Sequence, residues 1–354
     1  MSLSVFTPHE ILTRLAKPNL ETINHYALAP DDILVVCGGF EDRAIGVLQN
    51  AVATQTPFQV LLIRYEPHLT ANKVQEIHDT CARAKVAVQE AVYNLQSPAG
   101  FGDTLARILS ECRGKIFLDV SGMSRLLIVQ AIVALSARPG SFIDCFITYA
   151  QAKYYAPSQH DAETALARSE KDQTYGILFL SSGVFEVTVI SELSSVAIAG
   201  EQTRLVSFPS LDEHHLIALR SELQPSRFSF IEGIPPNSDN YWRQKIIAKL
   251  NHLDQIRDAE RYVASTLHYQ DTLEHLLDIY SRHALLERLM IAPTGSKMQT
   301  VAVGIFRSIV HDVQIVYPTS RGFCDTANYT QGVGQFQIFP LGAFSALEIA
   351  HDER

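Results

Sequence analysis

The chain repeats one pattern of motifs, in the same order and about 170 residues apart. Three segments of the first half recur in the second half, at offsets of 171, 173 and 168 positions. The pairs are Leu34–Arg43 with Leu205–His214, Asp119–Arg125 with Ala292–Lys297, and Ile147–Tyr149 with Ile315–Tyr317. Few paired residues are identical, so the agreement lies in the pattern. Because three ordered matches at a nearly constant offset rarely arise by chance, the sequence predicts an internal tandem duplication.

Both halves alternate short apolar runs with amphipathic stretches, which is typical of parallel βαβ units. In the first half we predict strands at Ile33–Cys37, Gln59–Arg64, Val86–Gln89, Lys115–Val120 and Phe142–Tyr149, with helices at Asp42–Ala53, Ala71–Ala84, Gly102–Cys112 and Ser124–Ser136. In the second half we predict strands at Arg204–Phe208, Arg227–Glu232, Tyr262–Ser265, Arg288–Ile291 and Val313–Tyr317, with helices at Asp212–Leu223, Asn240–Asn251, Asp271–His283 and Ser296–Ile309. The predicted fold is α/β, with two tandem Rossmann-like domains whose sheets are mostly parallel.

The length of 354 residues suits two domains of ordinary size. We predict a first domain over residues 1–150, a linker over 151–190, and a second domain over 191–354. Within the linker, Gly176–Ser181 and Val184–Ile190 are expected to form a β-hairpin around Ser182-Gly183. Near the end of the chain, Phe323–Leu341 is expected to add an edge strand.

Composition excludes several classes of protein. No apolar run reaches the roughly 18–20 residues that a membrane span needs, and no secretory signal is visible at the start. The five cysteines are scattered singly, without zinc-binding spacing, so we expect reduced thiols and a cytoplasmic protein. A net charge of −9 argues against an extended nucleic-acid-binding surface but leaves room for a small basic pocket. Neither a cofactor nor a metal is predicted.

In each half the repeated motifs follow the first and the fourth predicted strands. Open α/β sheets bind ligands outside the carboxyl ends of their strands, at the point where the strand order reverses. We expect a flavodoxin-like order of 2-1-3-4-5, in which the loops after strands one and four lie on the same rim. The two motifs of one half can then face a single ligand.

The turn after strand four is the first candidate site. It has a glycine for a tight turn, hydroxyls, and a cation where a helix begins, which together suit an anion such as phosphate. The candidate ligand-binding residues are Ser121, Gly122, Ser124 and Arg125 in the first half, and Thr294, Gly295, Ser296 and Lys297 in the second. The alternative is that these serines and threonines only cap the helices.

The loop after strand one is the second candidate. It carries Gly38, Gly39, Glu41, Asp42 and Arg43. The loop fits neither a GxGxxG nor a Walker motif, so we expect ligand contacts from the glycines and from Arg43 or Glu41. The alternative is that the two acidic residues only suit the positive end of a helix. In the second half Pro209-Ser210 replaces the glycine pair.

Three further features complete the candidates. Asp119 ends strand four of the first half, where Ala292 stands in the second; it is placed for acid/base chemistry or for binding a metal, or it only fixes the turn. After strand five, an aromatic residue is followed four positions later by a cation, as Tyr149 with Lys153 and as Tyr317 with Arg321; these pairs suit base stacking and phosphate binding, or are ordinary loop residues. The histidines of Asp212–His215 are expected to be solvated helix residues.

A glycine-bearing loop after strand one, with a hydroxyl–Gly–hydroxyl–cation turn after strand four, resembles the CARF domain family. These Rossmann-like domains sense cyclic oligoadenylates in prokaryotic defence systems and often carry a Thr-Gly-Gly-Thr-Lys-like turn. Here Thr294–Lys297 is one residue shorter than that turn, whereas Ser121–Arg125 keeps its length with Met and Arg substituted. CARF proteins usually dimerise and carry a fused effector, for which this chain has no obvious room.

The sequence therefore favours a sensor that binds a nucleotide or cyclic-oligonucleotide second messenger, as in antiviral defence, with a protein effector as a candidate partner. Arg125 and Lys297 would hold phosphates. The alternative is an enzyme whose first half cleaves a phosphodiester or glycosidic bond of a nucleotide. Its candidate catalytic residues are Asp119, Glu41 and Asp42.

Overall fold

The structure, a computed structural model, describes residues 16–138, 140–172, 183–194, 202–322, 326 and 329–345. The chain forms two compact units. Of the described residues, those within 16–156, with 326 and 329–345, form the N-terminal domain, and those within 157–322 form the C-terminal domain. These boundaries differ from the predicted ones, because the end of the chain belongs with the first half.

Thirteen strands and nine α-helices are formed by the described residues. The strands are β1 (Glu21–Ile23), β2 (Ile33–Cys37), β3 (Gln59–Glu66), β4 (Ala87–Asn94), β5 (Ile116–Asp119), β6 (Cys145–Tyr155), β7 (Val184–Val189), β8 (Gln202–Ser207), β9 (Arg227–Ile234), β10 (Glu260–Ser265), β11 (Glu287–Ala292), β12 (Gln314–Ser320) and β13 (Thr330–Pro340). The helices are α1 (Gly46–Val52), α2 (Val74–Ala84), α3 (Phe101–Ser110), α4 (Arg125–Ser136), α5 (Gln159–Asp172), α6 (Glu213–Leu223), α7 (Trp242–Leu250), α8 (Tyr269–His283) and α9 (Lys297–Ile309). Each element predicted in the two α/β repeats is present, with ends displaced by a few residues.

The sheet of the N-terminal domain has the order β1-β13-β6-β5-β2-β3-β4. Its five parallel strands, β2 to β6, thus follow the order 3-2-1-4-5, and β13 runs antiparallel to both β6 and β1. The expected 2-1-3-4-5 order is wrong. Because strand one lies directly beside strand four, the two motif loops are next to each other at the carboxyl edge.

The sheet of the C-terminal domain repeats this arrangement. Its order is β10-β9-β8-β11-β12-β7, which again places five parallel strands as 3-2-1-4-5 with an antiparallel strand beside the fifth. The α/β fold of two Rossmann-like domains with mostly parallel sheets is therefore confirmed. The shared strand order is what an internal duplication produces.

In each sheet an antiparallel strand lies beside the fifth parallel strand. β7 lies between the two repeats along the chain and pairs with β12, and β13 follows the second repeat and pairs with β6. β13 is therefore an internal strand, with β1 on its far side, and not the edge strand expected from the sequence. The N-terminal sheet is therefore completed only after the chain has passed through the second repeat.

The predicted linker over residues 151–190 is also corrected. β6 continues to Tyr155, and α5 forms from Gln159 onward and packs in the C-terminal domain through Ala162. Of the predicted hairpin, Val184–Val189 forms β7, whereas Gly176–Ser181 lies outside the described residues.

The buried elements account for the apolar runs of the sequence. All five residues of β2 are buried, as its central place in the sheet requires. α4 is apolar on nearly every side and is buried along most of its length. Among the helices that the structure describes, none combines the length and apolar character needed to cross a bilayer.

Candidate functional site at the carboxyl edges of the sheets

In the N-terminal domain the loop after β2 and the turn after β5 pack backbone against backbone. A Cβ atom on Gly39 would lie 2.7 Å from the carbonyl oxygen of Gly122, and one on Gly122 would overlap the carbonyl oxygen of Cys37. A Cβ on Gly38 would meet the side chain of Val74 at 2.6 Å. Glycine is thus required here for close approach of two chain segments.

Asp119 and Ser121 fix the turn after β5 from within. The Oδ1 atom of Asp119 accepts hydrogen bonds from the backbone N–H of Ser121 (2.9 Å) and from its hydroxyl (2.5 Å). The hydroxyl of Ser121 in turn accepts from the backbone N–H of Ala150 in β6 (2.8 Å). Since Asp119 and Ser121 are fully buried, both serve to hold the turn against the neighbouring strand.

Ser124 begins α4 as its N-cap, and its Oγ accepts from the N–H of Leu127 (3.3 Å). The N–H of Ser124 donates to the hydroxyl of Tyr65 in β3 (2.5 Å), and that hydroxyl contacts the carbonyl oxygen of Gly122 (3.3 Å). Burial raises the pKa of Tyr65 well above its usual value, so the phenol keeps its proton. Tyr65 was not foreseen, because nothing near it in sequence marks it.

Arg43 lies at the centre of a buried network. Its guanidinium donates to Glu41 Oε2 through Nε (2.9 Å) and Nη2 (2.7 Å), and to the hydroxyl of Tyr149 in β6 through Nη1 (2.7 Å). Thr330 of β13 donates to the same Glu41 oxygen (2.8 Å), and the Tyr155 hydroxyl lies 3.3 Å from Nη1. Burial lowers the pKa of Arg43, but Glu41 and the tyrosines outweigh it and keep the group charged. Arg43, Glu41 and Tyr149 therefore bind each other, and the structure places them in a structural bridge.

Other charged residues of this rim reach solvent. The side chain of Asp42 is 52% exposed and accepts from the N–H of Gly332 (3.0 Å). Lys73, which the sequence analysis passed over, lies 3.7 Å from the Asp42 carboxylate. Lys153 is exposed on β6, and Arg125, the first residue of α4, is half-buried.

The C-terminal domain brings the equivalent segments together. The hydroxyl of Thr294 donates to the carbonyl oxygen of Phe208 (2.8 Å) and accepts from its N–H (3.2 Å), tying the turn after β11 to the loop after β8. A Cβ on Gly295 would lie 2.5 Å from the amide oxygen of Gln299 and 2.9 Å from Phe208 Cβ. The turn after β11 thus contacts the loop after β8, as the turn after β5 contacts the loop after β2, but Thr294 makes this contact through its hydroxyl, whereas the Ser121 hydroxyl binds β6.

Ser296 begins α9 with a reciprocal capping box. Its Oγ accepts from the N–H of Gln299 (3.1 Å), and the Gln299 side chain accepts from the N–H of Ser296 (2.9 Å). Gln299 therefore accepts the hydrogen bond from the Ser296 N–H, as Tyr65 accepts the one from the Ser124 N–H in the first repeat. Lys297, the first residue of α9, is half-buried like Arg125.

A second bridge in the C-terminal domain involves residues expected to be solvated. Asp212 and His215 are both largely buried, and His215 Nε2 lies 3.6 Å from Asp212 Oδ2 and 3.3 Å from the hydroxyl of Ser320 at the end of β12. Asp212 is 171 positions after Glu41, so a carboxylate, a basic group and a hydroxyl of the fifth strand recur in both domains. The prediction that His215 is solvated was wrong, because the sequence does not show which face of α6 packs against β12.

The aromatic–cation pairs were predicted to follow strand five, but Tyr149, Lys153 and Tyr317 lie within the fifth strands, and only Arg321 follows one. Tyr149 is buried in the Arg43 network, whereas Tyr317 on β12 is half-buried. Arg321 follows β12 and is exposed, as Lys153 is in the N-terminal domain. Of the two predicted stacking residues, Tyr317 is partly exposed and Tyr149 is buried. Among the described residues, no group of three or more His, Cys, Asp or Glu side chains is placed to hold a metal ion.

No family model matches the sequence, and no curated protein matches it. Among solved structures, it is similar to the cytoplasmic domain of a prokaryotic cation chloride cotransporter, at 9% identity and a TM-score of 0.22, over 83% of this chain and 96% of the other. UDP-GlcNAc 2-epimerase from Neisseria meningitidis, bound to UDP-GlcNAc, gives 10% identity and a TM-score of 0.22, over 77% and 79%. Haemonchus contortus phosphoethanolamine N-methyltransferase 1 gives 8% identity and a TM-score of 0.20, over 88% of this chain and 77% of the other. Scores this low carry no argument, so function is argued from the loops themselves.

Proposed function

We propose that this protein is a nucleotide-binding sensor in which each domain binds a phosphate group of a nucleotide or cyclic oligonucleotide. The site lies at the carboxyl edge, where the loops after strands one and four meet. This is the point at which doubly wound α/β sheets place their ligands. The two sites are formed by equivalent segments of the two repeats.

The proposal rests on one arrangement of residues that recurs in both domains, at the N-terminus of the helix after strand four. In both domains a serine at the end of the strand-four turn is the N-cap of a helix of 12 or 13 residues. The first residue of that helix is a half-buried cation. The cations are Arg125 and Lys297. A helix N-terminus directs N–H groups and the positive end of its dipole at an anion, and a cation there adds charge.

The remaining predicted site residues support this arrangement indirectly. Ser121 and Thr294 tie the turn to its neighbours, while Ser124 and Ser296 cap the helices. These bonds hold the helix terminus in a fixed position, so little conformational freedom is lost when a phosphate binds. In the C-terminal domain, Tyr317 is partly exposed within the fifth strand and is suited to stack on a base.

The test is nucleotide binding by a charge-reversed protein. We expect a panel of mononucleotides and of linear and cyclic oligonucleotides, tested by calorimetry, to contain a ligand that wild-type protein binds and the Arg125→Glu/Lys297→Glu variant does not. The matched control is Arg113→Glu/Arg257→Glu, which makes the same change in net charge at exposed positions before β5 and β10. Equal affinity of the first variant and wild type, or equal loss in the control, would contradict the proposal.

The same incubations separate a sensor from an enzyme. Asp119 is fully buried and bonded to Ser121, and Glu41 is paired with Arg43, so two of the three candidate catalytic carboxylates are engaged in holding the fold. We expect chromatography of each nucleotide after incubation to recover it unchanged. Turnover that is lost in Asp119→Asn, with binding and fold retained, would favour the enzyme.

A further inference from the structure

The two domains bury one equivalent acidic residue beside the proposed site to different extents. Glu213, the first residue of α6, is 4% exposed, and its Oε1 has no hydrogen-bond partner among the residues that the structure describes. The residue 171 positions earlier is Asp42, whose side chain is 52% exposed and lies near Lys73. The same place in the repeat thus holds a buried acid in one domain and a solvated acid in the other.

An ionised carboxylate is disfavoured at the Glu213 position. Burial and the adjacent Asp212 raise the pKa of Glu213 from 4.5 to about 7. The positive end of α6 acts in the opposite direction, but an effect of this kind is usually smaller than the loss of solvation. Several ionisable side chains lie near Glu213. Asp212, His214 and His215 are next to it on the turn and on α6, and the strands packed against α6 contribute Glu186 from β7, Tyr317 from β12 and Arg321 after β12. Of these, only Asp212 contributes to the shift.

The chain around Glu213 is held in place by a few polar contacts. Asn251 donates to the carbonyl oxygen of Ser210 (2.8 Å), and Thr294 exchanges two hydrogen bonds with Phe208. The ion pair of His215 with Asp212 exists only while the imidazole is protonated. Placing a second negative charge next to Asp212 therefore acts on the segment that forms one wall of the proposed site.

We propose that the loop of residues 208–213 is a proton-controlled gate on the C-terminal site, held in place while Glu213 is neutral and loosened when Glu213 ionises. The N-terminal site has no such gate, because Asp42 is solvated and the cation of its bridge is Arg43, which does not titrate. This inference rests on the proposed function for its effect on ligand binding, whereas the movement of the loop does not.

Hydrogen exchange measured by mass spectrometry between pH 6 and pH 8 tests the gate without any ligand. After correction for the intrinsic pH dependence of exchange, we expect protection of residues 208–213 to fall about tenfold, the amount that linkage gives for a carboxyl whose pKa is about 7 when closed and 4.5 when open. The equivalent N-terminal segment, residues 37–42, is expected to show no such change.

Glu213→Gln, which is close in shape to the neutral acid, is expected to abolish most of this pH dependence, and its control Asp42→Asn to leave it intact. The comparison of the two wild-type loops needs no variant, so it survives a folding defect. An equal response of both loops, or an unchanged response in Glu213→Gln, would overturn the gate. Neither outcome depends on nucleotide binding, so a failure here is distinct from a failure of the proposed function.

Discussion

Gly39→Ala tests whether the paired glycines serve the contact between the loops. The new Cβ would lie 2.7, 3.2 and 3.3 Å from the O, Cα and C atoms of Gly122, all of them backbone atoms of a buried turn. Relief requires a shift of one loop, and overpacking of this kind costs about 1–3 kcal/mol. The substitution also restricts the unfolded chain, which returns about 0.4–1 kcal/mol. The expected net destabilisation is about 1–2 kcal/mol.

Urea unfolding followed by circular dichroism measures this change. The control is Gly342→Ala in the same domain, where the nearest atoms to a new Cβ lie at 3.8 and 4.0 Å. We expect the control to be neutral or slightly more stable than wild type, and Gly39→Ala to unfold at lower urea with a similar m-value. A Gly39→Ala midpoint at or above that of the control would refute the account of the loop contact.

Three further substitutions probe the networks around the sites. Arg43→Gln leaves the Glu41 carboxylate buried without its ion pair, so thermal unfolding should show a loss of about 3–5 kcal/mol, and a loss below 1 kcal/mol would contradict a buried bridge. Tyr65→Phe removes one hydroxyl from the turn after β5, and denaturant unfolding should show a loss of about 1–2 kcal/mol, against no change for the exposed Tyr154→Phe. For Glu213, the unfolded state releases its proton near pH 4.5 and the folded state near pH 7, so stability falls as pH rises between these values. At about 1.4 kcal/mol per pH unit, the free energy of unfolding falls by nearly 3 kcal/mol. Glu213→Gln should not show this fall. Identical pH–stability curves for the two proteins would show that Glu213 does not titrate in this range.

The repeat and the alternation of elements were sufficient to predict the α/β class, because each apolar run corresponds to a strand buried in a sheet. Strand order was not predictable in the same way. Strand order depends on where in the sheet the chain returns after each helix. The local pattern of apolar and polar residues does not determine that position. The pairing of β13 with β6, from opposite sides of the second repeat, is a long-range contact of the same kind.

The sequence identified the right loops but mistook the work of several residues in them. Arg43 and Tyr149 are separated by 106 residues, and only the fold shows that they are hydrogen-bonded partners. His215 sits on a polar-looking helix turn, yet Ser320 of β12 covers it. A charged or aromatic residue near a strand end is equally consistent with a ligand site and with a buried bridge. Burial, which decides between them, comes from the packing of distant strands.

The number of nucleotides bound per chain, measured by equilibrium dialysis with the ligand that calorimetry identifies, tests whether each domain holds one site. We expect two for wild type, one for Arg125→Glu, one for Lys297→Glu and none for the double variant. A wild-type protein that binds none of the panel would contradict this expectation. So would a stoichiometry that neither substitution changes.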